Sequence, residues 1–146
     1  MSRNLHLKSV VLPDSLKKLG LATFAENPSL KRIDIPAEVT FIDNFVFNMC
    51  TGLKKVQFVS PNTLTTLGRS AFQHCGSFKR IKLPDTLKVI EKSTFGGCTK
   101  LSKIILPDDL KHIGHTAFGK SALTTVTFPI SATRLTNGRL HIRRRL

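Results

Sequence analysis

The sequence predicts a repeat solenoid, and three columns of recurring residues predict it. An apolar residue opening a Leu-Lys-x-Ile-like segment recurs at Leu7, Leu30, Leu53, Phe78, Leu101 and Leu123, at intervals of 23, 23, 25, 23 and 22 residues. Six of the seven prolines keep the same register, at Pro13, Pro36, Pro61, Pro84, Pro107 and Pro129. Phenylalanine recurs as Phe24, Phe47, Phe72, Phe95 and Phe118, with Cys50, Cys75 and Cys98 three residues beyond the middle three and Asn27 and Ser121 in that place in the outer units. Such columns mean that each unit stacks on the last, because one unit cannot bury its own apolar face. The organisation read from them is one domain over 1–146. It has about five full units over 7–122 and a degenerate unit over 123–146, where Ala132 and Leu140 replace the expected aliphatic and Phe.

Within a unit, the segment from Leu30 to Ile35 alternates, so it reads as a short strand with Leu30, Ile33 and Ile35 inward. Pro36 ends it, having no N–H for a ladder. Val39 and Ile42 form a second buried pair on the return path, and Phe47 fills the interior under a tight turn. The third unit carries two extra residues, Val59 and Ser60, just before its proline. At roughly 1.5 to 3 kcal/mol per buried Phe, the ring column is a large stabilising contribution. Strand steps of about 4.8 Å make the six-unit stack roughly 24 Å tall.

These residues resemble the BspA-like, or Treponema pallidum-type, class of leucine-rich repeats. Its pattern runs approximately Leu-x-x-Ile-x-Ile-Pro-x-x-Val-x-x-Ile-x-x-x-Ala-Phe-x-x-Cys, and Leu53 to Cys75 and Leu101 to Ser121 match it with small departures. The resemblance covers Leu7 to about Leu135. It implies an α/β repeat solenoid: a right-handed leucine-rich repeat superhelix with short parallel strands on the concave side, and turns and short helical segments on the convex side. It also implies a binding role without catalysis. Members of the class are often surface adhesion proteins of bacteria and anaerobic protists.

Composition narrows the setting. The chain has 146 residues, 40% of them apolar, which is enough for a core. No apolar run approaches eighteen residues, so no transmembrane helix is expected. The stretch from Leu5 to Leu12 is interrupted by His6, Lys8 and Ser9 and makes a poor export signal. Three cysteines cannot all pair within one chain, and there is no Asn-x-Ser/Thr acceptor. The expected setting is intracellular, cytoplasmic or nuclear, with the cell surface as the remaining alternative.

Charge is the main functional signal, with 23 Lys and Arg against 9 Asp and Glu and a net charge of +14. Outward strand positions align Lys8, Lys31, Lys54 and Lys79 in one column and Arg32, Lys55, Arg80 and Lys103 in the next, with Lys82 on the same sheet. Acids gather beside the prolines, at Asp14, Glu38, Asp85, Asp108 and Asp109. Like charges about 5 Å apart repel by roughly 0.8 kcal/mol even in water, so solubility alone does not call for such ladders. After Asp109 there is no acid, and the end of the chain carries Arg143, Arg144 and Arg145. The segment from Arg139 to Leu146 alternates and reads as a last strand or a basic nucleic-acid or nuclear-import tail.

Other motifs have structural readings. Gly114 to Ser121 fits a phosphate-loop pattern, but it falls in repeat register with Phe118 in the core column, so no nucleotide site is expected. Lys55-Val56-Gln57-Phe58 fits a short phosphatase-docking motif, yet Val56 and Phe58 are strand core positions. His112 and His115 lack converging partners for a metal, and no catalytic triad or carboxylate pair can be assembled. No cofactor and no enzymatic activity are expected. Phe41 and Phe45 stand where other units are mostly polar or small, either as an exposed apolar contact or packed on each other.

The leading expectation is therefore a non-catalytic scaffold whose basic concave face takes an acidic protein partner. The alternatives are a nucleic-acid or other polyanion binder using the same ladders and the arginine tail, and a surface adhesin. Exposed solenoid ends add an expected homodimer contact.

Overall fold

The computed structural model describes residues 6–129 in full and 134–135 and 141–144 by backbone. The short strands are β1 (Lys18–Leu19), β3 (Phe41–Ile42), β5 (Thr66–Leu67), β7 (Val89–Ile90), β9 (His112–Ile113) and β11 (Arg134–Leu135). They form one six-stranded parallel sheet in the order β1-β3-β5-β7-β9-β11. The longer strands are β2 (Arg32–Ile35), β4 (Lys55–Phe58), β6 (Arg80–Lys82), β8 (Lys103–Ile105), β10 (Thr125–Phe128) and β12 (His141–Arg144). These pair two by two, β2 with β4, β6 with β8 and β10 with β12, again in parallel. The units from the second to the fifth thus each give one strand to each side of the stack, and the chain climbs one rung per repeat.

The alternation read from the sequence sets the strands. Ile33 and Ile35 of β2 are buried while Arg32 and Asp34 are exposed. Pro36 ends the strand and opens a turn closed by the Val39 N–H donating to the Pro36 carbonyl at 3.2 Å. The same bond recurs at Leu87 to Pro84 and Leu110 to Pro107. The third unit departs from it. There the Asn62 side chain accepts from the Leu64 N–H at 2.8 Å and donates to the Val59 carbonyl at 3.2 Å, so the two extra residues are absorbed by a side-chain-closed turn. Next to this insertion, β4 and β6 do not pair.

The expected α/β class with short helical segments on the convex side is corrected. Among the described residues no helix forms. In its place each unit turns twice, with positive φ at Ala22, Phe45, Ser70, Ser93 and Thr116 and again at Glu26, Met49, His74, Gly97 and Lys120. A helix needs successive residues at negative φ and N–H groups bonding four residues back. Here alternate N–H groups point to the next rung instead: Phe45 donates to Arg69, Phe47 to Ala71 and Met49 to Gln73, at 2.8 to 2.9 Å. The following units repeat the pattern from Ser70, Phe72 and His74 to Lys92, Thr94 and Gly96. The turns are thus stitched across rungs like a sheet, and the N–H groups that a helix would use are spent on the next rung.

The core follows the columns. Phe24, Phe47, Phe72, Phe95 and Phe118 stack with centroids 5.1 to 5.8 Å apart and planes within 13° of parallel. Phe78 meets Phe72 edge-on at 5.8 Å. Beside the rings runs a column of thiols, each reaching back to the Phe carbonyl of the preceding unit. Cys50 Sγ donates to Phe24 O at 3.0 Å, Cys75 to Phe47 O at 3.2 Å and Cys98 to Phe72 O at 3.1 Å. In the first unit Asn27 stands in the cysteine column, and its Nδ2 donates to the Phe24 carbonyl of its own unit at 2.8 Å, the same oxygen that Cys50 reaches. Cysteine suits this buried slot as a small hydrophobe with a weak S–H donor.

All three cysteines are free and buried. Burial pushes the Cys50 thiol up to about 11 and the Cys98 thiol up to about 12, and drives Cys75 well above its ordinary value. Because these folded-state values lie above the unfolded one of about 8.5, the stability they confer is complete below that pH and is lost as pH rises through the folded values. A disulfide-exchange reagent at pH 8 is therefore expected to leave the folded thiols unlabelled and to label all three in urea, with the urea midpoint falling above about pH 9. Labelling of the folded protein at the rate of the unfolded chain would refute the buried column.

Candidate functional site

The strand pairs align the expected cations. Arg32 stands opposite Lys55 and Arg80 opposite Lys103, while Lys82 stands opposite Ile105. The column before the strands is carried by backbone bonds, Lys31 N–H to Lys8 O at 3.3 Å and Lys54 N–H to Lys31 O at 2.9 Å. Lys79 continues it beyond the interruption at the third unit, its carbonyl accepting from Ser102 and Lys103. All nine of these cations are exposed. Within each strand pair neighbouring rungs lie about 4.8 Å apart, and the ladder is interrupted between β4 and β6.

Ion pairing separates the two sides. On the side of the six-stranded sheet, Lys17 bonds Glu38, Lys18 bonds Asp43 at 3.2 Å and Lys88 bonds Asp109 at 2.8 Å, each pair bridging adjacent rungs. Hydrogen bonding and the charge of Lys88, with the charge of Lys111, hold the Asp109 carboxyl below its ordinary range. On the longer-strand side only Arg32 is balanced among the described residues, by two bonds to Asp34 at 3.0 Å each, and it also reaches Gln57 at 3.3 Å. Lys8, Lys31, Lys54, Lys55, Lys79, Arg80, Lys82 and Lys103 have no ion pair among the described residues. Exposed pairs add little stability, but they decide where net charge accumulates.

Repeat models of the BspA type of leucine-rich repeat region match the chain in six copies, over residues 2–62 and 22–140. The chain belongs to the BspA-type leucine-rich repeat proteins. Solved structures agree with this BspA-type assignment. A leucine-rich repeat protein from Bacteroides ovatus is 30% identical, with a TM-score of 0.77 over 94% of this chain and 39% of that one. The T. pallidum leucine-rich repeat protein is 31% identical, with a TM-score of 0.76 over 82% of this chain and 58% of that one. A leucine-rich cell surface protein from Faecalibacterium prausnitzii is 27% identical, with a TM-score of 0.63 over 82% of this chain and 38% of that one. The chain thus spans less than two thirds of each of these relatives. None of the curated proteins matches it.

The BspA-type register also explains the other motifs. Gly114 to Ser121 runs from the end of β9 through turns, with Phe118 buried and no helix to cradle a phosphate. Lys55 to Phe58 is β4 itself, with Val56 and Phe58 packed against the core. No group of three His, Cys, Asp or Glu residues gathers to hold a metal among the described residues. Among the same residues no helix is long and apolar enough to cross a membrane.

Phe41 and Phe45 part company. Phe41 is half-buried on β3 with the Lys18 ammonium 5.1 Å above its ring, a cation–π contact. Phe45 is 37% exposed in the turn, near-neighbour in sequence to Met49 at 46%. Of the arginine tail, Arg143 and Arg144 belong to β12, opposite Thr127 and Phe128 of β10. Arg145 lies outside the described residues, as do Ala132 and Leu140.

Sequence reasoning missed one feature of the strand side. Between β8 and β10, which do not pair, lies a mainly polar cleft of about 270 Å³ lined by Ser102, Lys103, Ile104, Ile105, Leu106, Asp108, Thr125, Thr127 and Pro129. Ile105 is 47% exposed, in the column where the other units place Asp34, Gln57 and Lys82. That apolar residue in a polar column was the available signal.

Proposed function

We propose that this BspA-type repeat is a non-catalytic binding scaffold whose longer-strand side receives an acidic protein partner. The observation that carries the reading is the partition of charge. Cross-rung ion pairs neutralise lysines on one side, whereas eight cations on the other have no ion pair among the described residues. An acidic surface laid on this side relieves the repulsion among those cations as it binds. The same cations support a second reading, a nucleic-acid or other polyanion backbone, to which the sequence adds Arg143, Arg144 and Arg145. Against base recognition, no aromatic ring occupies an outward position on β2, β4, β6, β8 or β10. The F. prausnitzii relative is a cell surface protein, which supports display of such a scaffold outside the cell, with the cytoplasm and nucleus as the other settings.

Fluorescence anisotropy with a labelled Glu-rich peptide, duplex DNA, single-stranded DNA and heparin, from about 50 to 300 mM salt, tests the reading. The expected result is that the acidic peptide binds and keeps more of its affinity across this range than the nucleic acids do. DNA binding that persists near physiological salt and exceeds both peptide and heparin would replace it with the polyanion reading.

A further inference from the structure

We infer that the first rung of the stack receives the far end of a second copy of this chain, end-on and in the same orientation. The contact is separate from the strand side and stands without the reading of that side. The turns supply the first observation. On the second rung the carbonyls of Asn44, Val46 and Asn48 accept N–H groups from Ala22, Phe24 and Glu26 of the first. Their counterparts on the first rung are Leu21, Thr23 and Ala25. The Leu21 and Thr23 carbonyls accept no bond among the described residues, and the Ala25 carbonyl takes only the Asn27 side chain, at 3.2 Å.

Asn27 is the second observation. It is 6% exposed, and its Oδ1 is buried with no hydrogen-bond partner among the described residues. Its Nδ2 is already spent on the Phe24 and Ala25 carbonyls. In later units this column reaches to the preceding rung, as Cys50, Cys75 and Cys98 do. A buried acceptor without a donor is costly, so the first rung is suited to a neighbour that brings N–H groups. Each rung hands turn N–H groups forward, so by the same rule the far end of a second copy brings them. At that end β11 and β12 are the last strands of their sheets. The ring column is open at the first rung as well. Phe47, Phe72 and Phe95 carry a stacked ring on each face, whereas Phe24 stacks on Phe47 alone, and Val10, Leu12 and Leu16 beside it are only partly buried.

Charge selects which end of the second copy arrives. Residues 1–52 carry six Lys and Arg against five Asp and Glu, whereas residues 110–146 carry seven against none. Two basic far ends repel, and two first rungs offer each other no turn donors. A near-balanced first rung against a basic far end avoids both faults.

Sedimentation equilibrium of the whole chain at about 0.15 M salt, over about 5 to 500 µM protein, tests the contact. The weight-average mass is expected to rise with concentration. Phe24→Ala removes the receiving ring, and Asp14→Lys with Leu21→Lys adds cations to the same rung. Each variant should weaken the association about ten-fold. Asp14 and Leu21 are exposed, so the second variant should keep the wild-type melting curve. Phe45→Ser with Met49→Ser alters the exposed apolar turn of the second rung and should leave the association within about two-fold. A chain that stays monomeric throughout overturns the inference. So does a mass that levels off at two chains, because an end-on pair keeps one first rung and one far end free. A greater loss in the Phe45 and Met49 variant than in the first-rung variants places the contact on the side of the stack and overturns it as well.

Discussion

Replacing Phe72 by Ala is expected to destabilise the protein by about 3–5 kcal/mol, the largest effect of any single core truncation. Phe72 is fully buried and touches three rings, Phe47 at 5.1 Å, Phe95 at 5.4 Å and Phe78 at 5.8 Å. Its loss leaves a ring-sized void in the middle rung, which a stack of stiff, identical turns cannot close by local collapse. Phe24 provides the comparison. It is only partly buried and stacks on one ring, Phe47, at 5.6 Å, so Phe24→Ala should cost less than half as much. Urea denaturation followed by far-UV circular dichroism measures both, since the chain has no Trp or Tyr for fluorescence. Equal costs for the two variants would show that stability is not concentrated in the middle of the ring column.

Reversing Lys55, Arg80 and Lys103 together to Glu is expected to weaken binding of an acidic peptide by about 100-fold at low salt. Each reversal turns an attraction into a repulsion, and the three positions lie in one register column. Arg32 is left out because Asp34 already balances it and would be stranded by its reversal. All three side chains are exposed, so the melting curve should move little. A charge-matched control, Arg69, Lys92 and Lys120 to Glu, alters exposed turn positions away from the longer strands and should leave the affinity within about three-fold of wild type. If the two triple variants lose affinity equally, net charge and not the strand side governs binding.

Much of this arrangement was legible in the residues. Alternation in Lys31 to Ile35, the proline stop and the Val39–Ile42 pair placed the strands because a period of two has only one way to bury its apolar half. The lysine columns followed from the same register. The turn ladder was hidden for a physical reason: its positive-φ positions hold Ala22, Phe45, Ser70, Ser93 and Thr116, and only Gly97 in the second column advertises that conformation. Side-chain identity did not reveal backbone handedness there, because the bonds between rungs hold it. The charge partition was hidden as well, since Lys17–Glu38 and Lys88–Asp109 become neighbours only when rungs are stacked. The cleft needed knowledge of which strand pairs fail to form.

The stitching of the turns has a directional consequence. Along this side every rung faces forward with donors and backward with acceptors: Phe45, Phe47 and Met49 give N–H groups to the following unit, while Asn44, Val46 and Asn48 offer carbonyls to the preceding one. A rung is therefore a plug at one end and a socket at the other. Two like ends set face to face would oppose carbonyl to carbonyl or amide to amide, so a two-fold symmetric pair of solenoids cannot be made by extending this ladder. Copies joined through it must follow one another in the same orientation. Such head-to-tail growth does not close on itself unless the path bends into a ring, and in a straight stack it lengthens the rod.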